Sequence, residues 1–88
     1  MMNILVAEDD ALVRNFMREV LEDAGYTVLE AQDGKEAIKT FNENKDRIKL
    51  LLLDVIMPKK NGQEVYETLK ASNPSIKALF TSGYSADI

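Results

Sequence analysis

Cysteine and histidine are both absent from the 88-residue sequence. Their absence excludes a disulfide frame, a thiol nucleophile, an imidazole base and a soft-metal site. Any chemistry has to rest on carboxylates, hydroxyls, lysines and backbone groups. Proline is scarce, with 2 residues beside 4 glycines, which sets the chain apart from collagen-like and low-complexity polypeptides. No apolar run approaches the roughly 20 residues of a membrane span. The start also lacks the basic flank and apolar stretch of a secretory signal. A cytoplasmic setting and no membrane partner are therefore expected. Basic residues are the minority, 11 against 15 acids, for a formal net charge of −4. That balance argues against direct nucleic-acid binding by this segment, because phosphate backbones are held by clustered Lys and Arg. What remains, 45% hydrophobic and 30% charged residues, is the composition of one ordinary globular domain with a modest core.

The apolar pattern alternates between strand-like and helix-like periods. Asn3 to Ala7 (NILVA) is a short apolar run ending in acids and reads as a first strand. From Ala11 to Ala24, Leu12, Val13, Phe16, Met17, Val20, Leu21 and Ala24 recur at steps of one, three and four, the signature of one helix face. Asp10 can cap the start of that helix and Gly25 can end it. Tyr26 to Ala31 reads as strand two. Asp33 and Glu36 then resemble a capping box that opens a helix through Asn44, with Ala37, Ile38 and Phe41 on its buried side. Ile48 to Leu53 is the most apolar stretch and runs into Asp54, as a central parallel strand covered on both faces would. Val55 to Gly62, with its Pro and its Asn-Gly pair, predicts a loop, Gln63 to Ala71 a third helix, and Ile76 to Ser82 a fourth strand. The order βαβαβαβ with short connections predicts an α/β fold, a parallel sheet wrapped by helices through right-handed crossovers.

Three acids, Glu8, Asp9 and Asp10, follow strand one, and Asp54 ends strand three. Open α/β sheets bind ligands outside the carboxyl ends of their strands, where strand order reverses. If strands one and three are neighbours, their carboxylates converge, and a hard divalent cation with oxygen ligands, Mg2+ first, is what keeps them ionised. Asp10 is expected to act as a cap and not as a ligand. With a cation present, Asp54 can serve as a nucleophile toward phosphorus, since carboxylates form acyl phosphates.

These residues resemble a known family. The segments ILVAEDD (Ile4 to Asp10), LLLDVIMPKKNG (Leu51 to Gly62) and ALFTSGY (Ala78 to Tyr84) look like the response-regulator receiver domain of two-component signalling. The resemblance implies a flavodoxin-like doubly wound sheet of order 2-1-3-4-5, for which a chemotaxis receiver is a standing example. It implies Asp54 as the phosphoacceptor, and Glu8 and Asp9 as the acidic pair that holds Mg2+ together with Asp54 and the backbone carbonyl of Ile56. It implies Ser82 as the switch hydroxyl, with Gly83 keeping the site open. Thr81 could take that role if the alignment slips by one, although strand alternation is expected to turn it to the other face. Ile56 and Tyr84 match the variable positions that influence acyl-phosphate lifetime. Met57 and Pro58 are read as shaping the loop, and Lys59 and Lys60 as solvated charges.

The family pattern ends with a fifth strand, a lysine at its tip and a last helix. Residues 1–88 are accordingly expected to form a single receiver domain of order 2-1-3-4, C-terminally incomplete. The segment FTSGYSADI resembles receivers attached to hybrid sensor histidine kinases. The implied partner is a histidine kinase or a histidine phosphotransfer protein. The implied activity is phosphoacceptance with at most slow self-dephosphorylation, not enzymatic turnover. Without a fifth strand, strand four would be an open edge prone to self-association. A phosphorylation-independent dimerisation module is the alternative. A haloacid-dehalogenase-type phosphatase needs a second Asp two positions after the first, where this chain has Ile56. A Rossmann binder needs a Gly-rich cradle where this chain has acids.

Overall fold

Strands form where short apolar runs can be buried. β1 (Asn3–Ala7), β2 (Thr27–Ala31), β3 (Ile48–Asp54) and β4 (Lys77–Thr81) alternate with α1 (Ala11–Asp23), α2 (Gly34–Glu43) and α3 (Gly62–Ser72) in a computed structural model that describes residues 3–81. The sheet is parallel throughout, in the order β2-β1-β3-β4. This is the expected order, and it makes β1 and β3 direct neighbours. β3 extends one residue further than the apolar run suggests, so Asp54 belongs to the strand, and β4 ends at Thr81. Ser82, Gly83 and Tyr84 lie outside the described residues.

The core sits between the sheet and the α2/α3 layer. Leu5, Ala7, Leu51 and Leu53 from the central strands meet Ala37 and Phe41 of α2 and Val65 and Leu69 of α3, all almost fully buried. Strand alternation sends Ile4 and Val6 to the opposite face, under α1. There the outcome departs from the expected two-sided coverage. α1 forms with the expected apolar stripe, yet none of its residues is buried, and Leu12 and Phe16 are 82% and 65% exposed. Leu50 and Leu52 of β3 are correspondingly only half-buried. Among the described residues α1 is the one helix on that face, and a single helix cannot cover four strands. No helix among the described residues is long and apolar enough to cross a membrane.

Local chemistry sets the helix ends. Asp10 accepts hydrogen bonds from the N–H groups of Leu12 and Val13, as a cap should. At the other end of α1, the N–H of Tyr26 reaches the carbonyl of Leu21 and that of Gly25 the carbonyl of Glu22. This Schellman closure requires the left-handed φ of +99° at Gly25. Asp33 caps α2, but the Glu36 carboxylate accepts from Gln32 and not from Asp33, so the expected box is only half formed. The complete capping box belongs to Asn61 and Glu64 at α3, with Asn61 in the stretch expected to be plain loop.

Candidate functional site

β1 and β3 end side by side, and their register pairs Ala7 with Leu53, so Asp54, the last residue of β3, and Glu8 and Asp9, which follow β1, lie at one edge of the sheet. Glu8, Asp9 and Asp54 meet there, each with a ligand oxygen within 4.8 Å of the others. Glu8 and Asp54 are buried and Asp9 is exposed. The acids share a cavity of about 590 Å³ whose other walls are Asp10, Val13, Phe16, Met17 and Thr81.

Each carboxylate is aimed by backbone groups. The Asp10 N–H donates to Glu8 Oε2 at 3.0 Å, and the Ile56 N–H donates to Asp54 Oδ1 at 3.1 Å. β1 is secured at Glu8 from two sides. The Glu8 N–H reaches the Ala31 carbonyl at 3.1 Å, and the Arg14 guanidinium donates to the Glu8 carbonyl at 2.7 Å while bonding Glu30 of β2 at 3.2 Å. Arg14 and Glu30 went unnoticed in the sequence, because nothing in their spacing shows that a helix and the next strand meet there.

The acids are unhappy as a set. Burial pushes the Glu8 carboxyl up to about 7, helped by the neighbouring charge of Asp54 and opposed by the Asp10 N–H. Burial likewise lifts the Asp54 carboxyl above its ordinary value, with the Asp9 charge adding to it and the Ile56 N–H opposing it. Clustered, partly desolvated oxygen ligands that resist ionisation together fit a hard divalent cation, whose charge removes the conflict.

Several sequence expectations can be placed. Glu8, Asp9 and Asp54 come together, and Asp10 is a cap as expected. Ile56 brings its backbone N–H to Asp54 and leaves its side chain 64% exposed. Met57 is buried in the core, which fits a loop-shaping role. Lys59 is exposed but not merely solvated, since its Nζ lies 3.5 Å from Asp33 Oδ2. Thr81 does not turn away. It pairs with Asp54 across the β3–β4 ladder, lines the acid cavity, and buries a hydroxyl oxygen that has no partner among the described residues. The expectation that Thr81 faces away is thus corrected by its pairing with Asp54, while Ser82 lies outside the described residues.

An open parallel sheet with carboxylates clustered beyond its two central strands defines a doubly wound α/β domain with an acidic site suited to a hard cation. Residues 4–88 match the response regulator receiver domain, and the chain belongs to that family. It is 36% identical over 86 residues to the response regulator receiver protein CpdR of Brucella abortus, covering 98% of this chain and 70% of that one. It is also 36% identical over 84 residues to the sensor kinase CckA of the same organism, where the match covers 96% of this chain and 9% of the kinase. The chain thus spans a minor part of some curated relatives, 22% in the case of a cyclic di-GMP phosphodiesterase from Thermotoga maritima. Among solved structures, a receiver domain protein from Clostridium thermocellum superposes with a TM-score of 0.92 at 27% identity, covering 97% of this chain and 68% of that one. The response regulator TrrA of Thermotoga maritima, solved in complex with Mg2+ and BeF, gives 0.90 at 32% identity, covering 97% and 72%. The domain is therefore a signalling module of two-component systems.

Proposed function

We propose that this domain accepts a phosphoryl group on Asp54 from a histidine kinase or histidine phosphotransfer protein. The observation that carries the reading is the convergence of Glu8, Asp9 and Asp54, drawn from two neighbouring strands, in one cavity. In the transfer, an Asp54 carboxylate oxygen attacks phosphorus, the P–N bond to the donor imidazole breaks, and its electron pair stays on the imidazole nitrogen. Water later attacks the acyl phosphate, releases inorganic phosphate and restores the carboxylate. Glu8, Asp9 and Asp54, with the Ile56 backbone carbonyl, would hold Mg2+, which when bound offsets the charge on the phosphoryl oxygens. The Ile56 N–H keeps the Asp54 carboxylate in one orientation, and Val13, Phe16 and Met17 form an apolar wall beside it. The Ser82 hydroxyl is assigned to the phosphoryl group, drawing the segment after β4 into a second arrangement that a partner can read. The setting proposed is the cytoplasm, and residues 1–88 act as one unit.

The test is incubation with Mg2+ and a small phosphodonor, followed by mass spectrometry. One added phosphoryl group that disappears in Asp54→Asn supports the reading. Its absence at saturating Mg2+ and donor overturns it in favour of a dimerisation module.

One observation supports that second activity independently. β4 pairs only with β3 among the described residues, and its Leu79 and Phe80 are 58% and 45% exposed. Such an edge offers bare backbone groups to a strand of a second copy. Sedimentation equilibrium checks this, and a monomer at every concentration refutes it.

A further inference from the structure

The β3–α3 loop follows an uncomfortable path. The Lys60 N–H donates to the Pro58 carbonyl at 2.8 Å across Lys59, whose φ is +71°. A three-residue turn with a positive central φ is rare and strained, and strain persists only where surroundings impose it. Inside the loop, the Gly62 N–H closes on the Val55 carbonyl at 3.1 Å and Met57 is anchored in the core. Neither contact acts on Lys59 itself. The groups that do belong to the start of α2. Asp33 divides its carboxylate, Oδ1 accepting from the Glu36 N–H at 2.8 Å and Oδ2 lying 3.5 Å from Lys59 Nζ. Gly34 lies so close to the next loop residue that a Cβ would run into the Lys60 carbonyl oxygen and come within 2.5 Å of the Lys60 Cβ.

We infer that Asp33 and Gly34 are positioning residues for the acceptor site: they hold the β3–α3 loop in its strained turn, and thereby hold the Ile56 N–H on the Asp54 carboxylate. The inference rests on the phosphoacceptor reading for its consequence, though not for its geometry. The two contacts differ in kind. Lys59 is 63% exposed, so its pair with Asp33 is screened and weak. The approach at Gly34 is steric, and any side chain there displaces the loop. Gly34 has no left-handed φ, so its lack of a side chain serves the contact and not the backbone. The orientation of Asp54 thus depends on residues far earlier in the chain that never touch it.

The experiment compares Gly34→Ala, Lys59→Met and Lys59→Arg with Gly25→Ala, a strained change at the far end of α1. The first readout is hydrogen exchange of the Ile56 amide in the metal-free chain, which reports the loop directly. The expected result is exchange about tenfold faster in Gly34→Ala, a smaller rise in Lys59→Met, recovery in Lys59→Arg, and no change beyond that of global stability in Gly25→Ala. The second readout is Mg2+ affinity by calorimetry, expected to fall by about tenfold in Gly34→Ala, as for loss of an outer-shell support. Equal Ile56 exchange in Gly34→Ala and Gly25→Ala overturns the inference. Failure of the unsubstituted chain to bind Mg2+ overturns the reading of the acid cluster, while the exchange data still decide the loop.

Discussion

Thr81 lies beside Asp54 in the β3–β4 ladder, and its hydroxyl oxygen is buried in the wall of the acid cavity without a partner among the described residues. A buried hydroxyl without a hydrogen bond costs about 1–3 kcal/mol, and replacing it with an apolar group of the same shape is neutral or stabilising. Thr81→Val is therefore expected to hold or raise the stability of the metal-free chain, by up to about 1 kcal/mol, as read from urea unfolding. A clear loss of stability would show that the hydroxyl has a partner after all.

The acid cluster predicts a trade between stability and cation binding. Glu8 and Asp54 are raised by burial and by neighbouring charge, so at pH 8 without metal the folded state carries their repulsion. Asp54→Asn and Glu8→Gln each remove one charge from the cluster and are expected to stabilise the metal-free chain. Addition of Mg2+ should stabilise the unsubstituted chain and leave both variants nearly unchanged. Thermal unfolding with and without Mg2+ measures both effects, and equal gains in all three proteins would refute the assignment of these acids as ligands.

Much of this site could be read from the residues alone, for identifiable reasons. An apolar run that ends in an acid marks both the strand and its carboxyl end, so the sequence alone puts Glu8, Asp9 and Asp54 at one edge. Periodicity showed which side of α1 is apolar, but whether Leu12 and Phe16 are covered depends on what packs there, and period carries no such information. The place of Thr81 beside the acids follows from its register with Asp54, and register between distant strands is not written in either strand alone. The Asn61 cap was hidden by the following Gly62, since Asn-Gly reads as a turn. Lys59 and Asp33 are distant in sequence, and only the crossing of loop and helix brings them together.

The pairing of Asp33 predicts a pH dependence with a definite sign. The Glu36 N–H, more than the Lys59 charge, holds the Asp33 carboxyl below its ordinary value of 3.8. An acid depressed in the folded state adds stability that is fully present above the unfolded-state value and is lost as pH falls through the lower folded-state value. Asp33→Asn keeps a capping side chain but cannot titrate. Its stability is expected to lie below that of the unsubstituted chain at neutral pH, with the two curves converging as pH drops below 3.8. Urea midpoints measured from pH 7 down into that acid range test this, and parallel curves would refute it.

Gly62 and Gly25 predict the same substitution effect for different reasons, which makes them a discriminating pair. Gly25 has open space around it but a φ of +99°, so Gly25→Ala is strained in the backbone alone and should cost about 1 kcal/mol. Gly62 opens α3 with no left-handed φ, and by helix propensity alone an alanine there would gain up to about 1 kcal/mol. The local packing reverses that sign. A Cβ at Gly62 would overlap the Asp54 carbonyl oxygen and lie 3.2 Å from the Val55 Cα, and these are backbone atoms with no flexible side chain to yield. Gly62→Ala is thus expected to destabilise by about 1–3 kcal/mol, as overpacking does, and to shift the backbone that carries the Asp54 carboxylate. Only Gly62→Ala should lower the yield of phosphoryl adduct per folded molecule. If both variants lose stability while both keep full adduct yield, the close packing of α3 against Asp54 has no bearing on the acceptor.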